Sequence, residues 1–353
     1  MKFRRSKIST SRILFSALFL LGSFYVLVFG RKSIKTRYYD KQIAAAQKMS
    51  FCISSLNTTK LIQGDFSQDT IRTNIIGVEY SEITTTLGDL SAKRISTNPD
   101  FAALLVRWFS RLKLNPGDVV AVGCSGSFPA LIIATICAAE SMDLQPVIIS
   151  SLGASSYGAN RPEFTWLDME NYLFRNRLIQ SKSVAASIGG AGDRGEGLTE
   201  NGKMILRGAI SRSGARLIDV EGLKENIKAR SQIYEQFGMP KVFVNIGGAS
   251  VNVGDYHFSN KLKLGINQRK IPAASAPSSM SGFYLGSGIP VIHLLHVKQI
   301  VLENRLDFNN FLQFEPGKSA VYFDGFIPKR IWLLSILFLA AGLTVLLRGS
   351  KFS

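Results

Sequence analysis

The chain has 353 residues, 46% of them hydrophobic, and a net charge of +17; that length suits one sizeable folded domain or two small ones. The charge sits at the ends: residues 1–37 and 329–353 carry thirteen basic residues and no acid, leaving an excess of only four over residues 38–328. Basicity confined to the termini argues against a nucleic-acid-binding domain, whose charge would cover a folded face, so no nucleic-acid partner is expected.

In chain order, a basic tail of residues 1–12 precedes the uncharged run Ile13–Gly30, "ILFSALFLLGSFYVLVFG". A second such run, Ile331–Leu347, "IWLLSILFLAAGLTVLL", precedes a short tail of residues 348–353. Each approaches the ~20 residues that cross a bilayer core, and basic residues flank both as interfacial anchors do. No small-x-small cleavage site precedes "RKSIKTR", so the first run reads as an uncleaved anchor rather than a signal peptide. Two spans leave both tails on one side. Lys2, Arg4, Arg5, Lys7 and Arg12 would all have to cross ahead of the first span if its tail faced outward. Each basic side chain costs about 2.5–3.5 kcal/mol at a bilayer centre. The flank Arg31 to Lys41 is as basic, but it belongs to a long loop, and long loops translocate largely regardless of charge. The expected topology has cytoplasmic tails and an outward-facing central domain.

Residues 31–95 read as a stalk or N-terminal extension, helical over 38–60 and then polar and rich in threonine. "STNPDFAALLVRWFSRLKLNPGD" then reads as a capped helix, with Asn98 at the N-cap, Pro99 at N1 and Asp100 facing the helix dipole. From residue 96 to 328 short apolar runs alternate with helical patterns. Strands are expected at Val119–Gly123, Val147–Ser151, Val184–Ile188, Ala215–Val220, Val242–Ile246 and Pro290–Leu294. Helices are expected near 129–141, 163–176, 199–213, 222–237 and 296–304. Fully apolar strands alternating with helices predict an α/β domain with a doubly wound, mostly parallel, Rossmann-like sheet. Residues 247–289 have a weak pattern and read as a long loop, the kind that forms lids and binding loops.

In an open parallel sheet, ligands bind outside the carboxyl ends of the strands. Those ends carry "GCSGSFP", "SLGASSYGANRPEF", "GGAGDRGEG", "GGASVNVGD" and "HLLH". In the first turn, Gly123-Cys124-Ser125-Gly126-Ser127 is an incomplete nucleophile elbow, with serine where the last glycine belongs. No lysine follows to make a phosphate loop of the nucleotide-binding kind. A cradle of backbone N–H groups for an anion or carboxylate needs only the small residues present, Gly123, Gly126 and Ser127, and a tight structural turn needs no more. In the third turn, Arg194 could grip a carboxylate while Asp193 takes an ammonium; the alternative is a solvated, self-paired loop. Asn160, in the second turn, joins the candidate ligand residues. A catalytic reading pairs Ser125 with His293, at the predicted end of the last strand, and with Asp168 or Asp193. Against it, a lone histidine on an apolar run is commonly a core residue. The cysteines Cys52, Cys124 and Cys137 show neither metal spacing nor a disulfide framework. No histidine–carboxylate cluster has zinc spacing, and no cofactor is expected.

"GVEYSEITTTLGDLSAKRISTNPDFAAL", "VVAVGCSGSFPAL", "SSLGASSYGANRPEFTWLDME", "SVAASIGGAGDRGEGL" and "IPVIHLLHV" together resemble the bacterial poly-γ-glutamate system protein family, over about residues 76–296. The resemblance implies a protein of the bacterial cytoplasmic membrane working beside the synthesis and export components of a poly-γ-glutamate capsule, among them an ATP-dependent amide ligase. Its implied partners are those membrane proteins, the lipid bilayer and the γ-glutamyl polymer or its precursor. It implies a pathway and assigns no catalytic role. Two activities follow as expectations: an accessory component binding a γ-glutamyl or other carboxylate-bearing ligand at the strand-end turns, or a serine-type amidase acting on that polymer or on peptidoglycan.

Overall fold

The computed structural model describes residues 9–57, 67–272 and 278–347. Much of the two basic tails, with Lys2, Arg4, Arg5, Lys7, Arg348 and Lys351, lies outside the described residues. The chain forms two compact units, one of residues 38–322 and one of residues 1–37 with 323–353.

The larger unit is a mixed α/β domain around a seven-stranded sheet. Its strands are β1 (Val119–Ser125), β2 (Gln145–Ser151), β3 (Ser183–Ser187), β4 (Arg216–Leu217), β5 (Val242–Ile246), β6 (Gly265–Asn267) and β7 (Val291–Leu294). The order across the sheet is β6-β7-β5-β1-β2-β3-β4, parallel except for the antiparallel edge strand β6. The helices, in chain order, are α1 (Tyr39–Asn57), α2 (Leu90–Ser96), α3 (Asp100–Arg111), α4 (Pro129–Ser141), α5 (Trp166–Arg175), α6 (Glu200–Ser213), α7 (Leu223–Glu235), α8 (Ser250–Val253), α9 (Met280–Gly286) and α10 (Val297–Asn304). The chain steps outward from β1 through β2 and β3 to β4. It then returns to the other side of β1 with β5, so the order reverses between β1 and β5.

The strands form because their sequences are apolar throughout. β1 is buried at every position, and period-two alternation sends its side chains to opposite faces. On one face Val119, Ala121, Val147, Ile149, Phe243 and Val291 pack with Ile233 and Tyr234 of α7 and with Met280 and Tyr284 of α9. Val120, Val122 and Ile148 are fully buried on the other. There α4 packs with α1 and α3, and its residues are buried from Pro129 to Ala139, as befits a helix apolar all round. Pro129 opens it at a position whose N–H has no intrahelical partner in any case. α3 starts one residue later than the sequence reading placed it, with Pro99 at the N-cap, while Asn98 Oδ1 accepts from Asp100 N–H at 3.0 Å. Residues 38–95, read from sequence as an extension, fall inside this unit. Four elements in the weakly patterned stretch were not anticipated: α8, a further single helical turn at Tyr256–Ser259, β6 and α9.

In the smaller unit, the helices Thr10–Phe29 and Lys329–Leu347 are each long and apolar enough to cross a membrane. They run antiparallel: Ser16 Oγ donates to Gly342 O at 2.9 Å, and the hydroxyls of Ser23 and Ser335 lie 2.7 Å apart. Small residues let the backbones approach, and hydroxyls bond across the seam, as in packed membrane helices. Leu14, Leu18, Leu21, Leu333 and Leu337 face away from that seam and are exposed. Lys32–Lys35 and Phe323–Phe326 pair as a short antiparallel ladder.

Glu170 of α5 reaches the start of β3, accepting from Ser183 N at 2.9 Å and Ser183 Oγ at 2.8 Å. Burial pushes its carboxyl from 4.5 up to about 7. A folded value above the unfolded one contributes stability that is complete below about 4.5 and lost as pH rises through about 7. The expected result is that the wild-type chain, solubilised in detergent, loses thermal midpoint relative to Glu170→Gln between pH 5 and 8; parallel melts at the two pH values check it.

Candidate functional site

A cavity of about 660 Å³ opens at the carboxyl ends of the strands, where the order reverses. This is the crevice in which open α/β sheets hold ligands. Ser125 ends β1 and Ser151 ends β2; Gly190 and Ala191 follow β3, Gly248 and Ser250 follow β5, and Leu295 and His296 follow β7, all of them wall residues. A further wall, Thr85 to Asp89 with Ala92 and Lys93, comes from the threonine-rich stretch and α2. Thr84–Thr86 is held there as a short parallel pair with Ala154–Ser155.

Each candidate residue has a defined place. Ser125 lines the cavity and is 4% exposed, and its buried Oγ has no hydrogen-bond partner. Gly247, at φ +82°, leaves room for it: a Cβ there would lie 2.3 Å from that Oγ. Ser127 also lines the cavity, its Oγ accepting from Ser155 N at 3.0 Å. Gly123 and Gly126 lie beneath the wall. A Cβ on Gly123 would strike Asn252 and Phe243, and one on Gly126 would strike Leu152 O, so both are small for close packing. Asn160 stands behind the turn and bonds Val78 N, Val78 O and Thr84 Oγ1 at 3.0, 2.8 and 2.9 Å, fixing the stretch that carries the threonine wall.

The charged candidates lie elsewhere. Asp193 is not solvated. It meets Arg230 of α7 at 2.7 Å with both side chains fully buried, and it also accepts from Ser151 Oγ at 2.7 Å and Asn226 Nδ2 at 2.9 Å. Arg230 reaches Ser187 Oγ at 2.7 Å as well. Arg194 pairs with Glu221 at 3.5 Å, 41% exposed, and is not among the wall residues. Asp168 caps α5 through Thr165 N and Oγ1 at 2.8 and 2.7 Å, and Arg212 grips it with two bonds of 2.7 Å. His293 is 1% exposed inside β7, its Nδ1 3.0 Å from Asn245 Nδ2. It lines a separate hollow of about 510 Å³ with Lys261 and Glu303. Burial, with the neighbouring His296, lowers its ring to about 4. The structure therefore does not assemble Ser125, His293 and Asp168: the Ser125 hydroxyl touches neither, and each of the other two is held by different partners. Cys124, buried against Ser150, has its thiol pushed up to about 12 by burial. Among the described residues no cluster of histidine, cysteine or carboxylate side chains could hold a metal ion.

Sequence reasoning missed the most distinctive wall residue, Lys93. It is 4% exposed, and its Nζ donates to Ser155 Oγ at 2.8 Å and to Ser127 O, and lies 3.7 Å from the Phe128 ring centre. No carboxylate pairs with it among the described residues, and burial lowers the amine to about 7. Nearby, Lys298 holds the Asp89 carboxylate at 2.6 Å and well below the usual carboxylate range. Ser250 Oγ is a second wall hydroxyl that is buried without a partner. α10 also starts at the wall with Val297 and Lys298, where the first N–H groups of a helix have no intrahelical partner. The sequence did carry a signal for α2: Asp89 caps it by accepting from Ser91 N and Ala92 N at 2.9 and 3.3 Å.

Compared with protein-family models, with curated proteins and with solved structures, the chain gives no match.

Removing one partner of a buried ion pair costs about 3–5 kcal/mol, so Asp193→Ala is expected to lose that much unfolding free energy. Ser125→Ala removes a buried hydroxyl that has no partner, so stability should hold or rise by about 1 kcal/mol. Denaturant melts of the two variants beside wild type measure both.

Proposed function

We propose that this protein is a membrane-anchored accessory component of poly-γ-glutamate capsule synthesis or export, and that its strand-end cavity binds a γ-glutamyl or similar carboxylate-bearing ligand. Under this reading the α/β domain is a doubly wound, Rossmann-like ligand domain. The apolar helix pair anchors it in the bacterial cytoplasmic membrane with the domain outward.

The observation that carries the ligand reading is Ser125: a buried hydroxyl without a partner, at the end of the central strand and facing a cavity. An unmet buried hydroxyl costs about 1–3 kcal/mol, and a ligand acceptor would remove that cost. Ser250 presents a second such hydroxyl, and the N-terminal end of α10 adds a positive dipole end. Hydroxyls and N–H groups are donors, and a carboxylate is the acceptor they suit.

What supports the pathway is convergence. All five stretches that carry the family resemblance contribute wall residues to this cavity: Thr85 to Lys93, Ser125 and Ser127, Ser151 and Ser155, Gly190 and Glu196, and His296 and Val297. Stretches scattered over about 220 residues of sequence thus share one feature, as they would if a common ligand selected them.

Calorimetry of the detergent-solubilised full chain with a γ-linked glutamate oligomer tests this. Saturable binding is expected, weakened at least tenfold in Ser125→Ala and in Ser250→Ala while neither variant melts below wild type. Absence of heat at millimolar oligomer, or wild-type affinity in both variants, contradicts it.

A further inference from the structure

Ser155 and Lys93 line the same cavity but are not among the groups to which that reading gives the carboxylate. Ser155 follows β2 and is 7% exposed, with its Oγ at the cavity wall. Its N–H is tied to Ser127 Oγ at 3.0 Å, and its neighbour Ser156 N–H to Thr86 O at 2.9 Å, so its backbone is held on both sides. Lys93 reaches it from the last turn of α2. The carbonyl of Ser127 and the face of Phe128 hold the amine against the Ser155 hydroxyl. A serine hydroxyl within hydrogen-bond reach of a base, with that base oriented by further groups, is the arrangement of an activated nucleophile. Ser125 lacks such a base altogether.

We propose that Ser155 and Lys93 form an acyl-transfer pair that cleaves an amide or ester entering the cavity, with Ser155 as nucleophile and Lys93 as general base. The requirement on Lys93 is that its amine be neutral, and burial meets it: desolvation outweighs the opposing pull of Asp89, whose carboxylate is held by Lys298, and lowers the amine to about 7 from its ordinary 10.5. In the first half-reaction Ser155 Oγ bonds to the acyl carbon while its proton passes to Lys93 Nζ. The bond from acyl carbon to leaving nitrogen or oxygen then breaks, and the Lys93 ammonium returns its proton to the leaving group. In the second half-reaction water attacks the acyl-serine carbon and gives a proton to Nζ. The bond to Oγ breaks, and Ser155 takes the proton back. The products are a carboxylic acid and an amine or alcohol, with no other reactant needed. An amine in place of water would give transfer instead of hydrolysis. The substrate class, an acyl compound that also carries a free carboxylate, rests on the ligand reading above, because Ser125, Ser250 and the start of α10 would seat that carboxylate on the same cavity.

The test uses a fluorophosphonate probe on the detergent-solubilised full chain, with the adduct located by peptide mass spectrometry. In wild type the expected adduct is on Ser155, and its rate of formation rises with pH through about 7. Lys93→Met should slow labelling at least a hundredfold, and Arg194→Gln, outside the cavity, should leave it within twofold. Melting midpoints recorded beside the rates identify any variant that fails to fold, and the wild-type adduct and pH profile stand without the variants. A folded wild type that takes no label on Ser155 at pH 9, or a folded Lys93→Met labelled at the wild-type rate, overturns the pair. The ligand reading fails separately: Ser155 that labels normally but is not protected by saturating γ-linked glutamate oligomer retains the pair and removes the substrate class.

Discussion

Asp193 and Arg230 meet at 2.7 Å with neither side chain exposed, and the pair is tied to the cavity wall through Ser151, which donates to Asp193. Two charges removed from water are costly unless every remaining donor and acceptor finds a partner. Here Ser151, Ser187 and Asn226 supply partners for Asp193 and for Arg230 Nε and Nη2, leaving only Arg230 Nη1 of the pair without one, and the pair joins the ends of β2 and β3 to α7. It also anchors the glycine turn after β3. Gly189 and Gly190 there take φ of +78° and +75°, and Asp193 takes +61°, conformations that cost little only for glycine and, less freely, for aspartate. The same turn presents Gly190, Ala191 and Glu196 to the cavity.

More than half of the residues that line the cavity are small or hydroxylated. The reason is close approach. A Cβ on Gly189 would lie 2.6 Å from Gly153 N, so the turns after β2 and β3 touch backbone to backbone. Small turns leave a space that α2 and the threonine stretch close from one side and α10 from the other, with the Asp89–Lys298 ion pair tying α2 to α10. The resulting cavity is lined by Ser125 and Ser250, whose hydroxyls have no partner, by the start of α10, and by Lys93, whose buried amine meets the Ser155 hydroxyl. Under the proposals above, the first group would seat an anion and the second would cleave a bond, both within one space.

Much of the sheet was legible because its strands are continuous apolar runs between turn residues. Five of the six expected strands lie within about two residues of their observed ends, and Ala215–Val220 shrinks to the two-residue edge strand β4. α4, α6, α7 and α10 were legible for the same reason, from capping residues and helical spacing. α8, the turn at Tyr256–Ser259, β6 and α9 were not, since elements of three to seven residues are too short for a period to stand out. At the site, the strand-end turns could be placed by position alone, and Ser125 and Ser127 do face the cavity. The charged candidates were chosen by residue type, and type does not reveal a partner. Asp168 belongs to Arg212 and a helix cap, and Asp193 to Arg230 some 37 residues away. Lys93 was invisible for the converse reason. On an amphipathic helix a lysine reads as solvent-facing, and only the packing of α2 over β1's turn buries it.

The account depends on one space holding the ligand, so the most direct measurement is a structure of the full chain determined with a γ-linked glutamate oligomer. The account predicts a carboxylate of the oligomer within hydrogen-bond distance of Ser125 Oγ and Ser250 Oγ, near the start of α10, and an amide carbonyl carbon close to Ser155 Oγ. An oligomer seated in the hollow beside His293, or on the exposed face at Arg194, with the strand-end cavity holding none of it, would contradict the account.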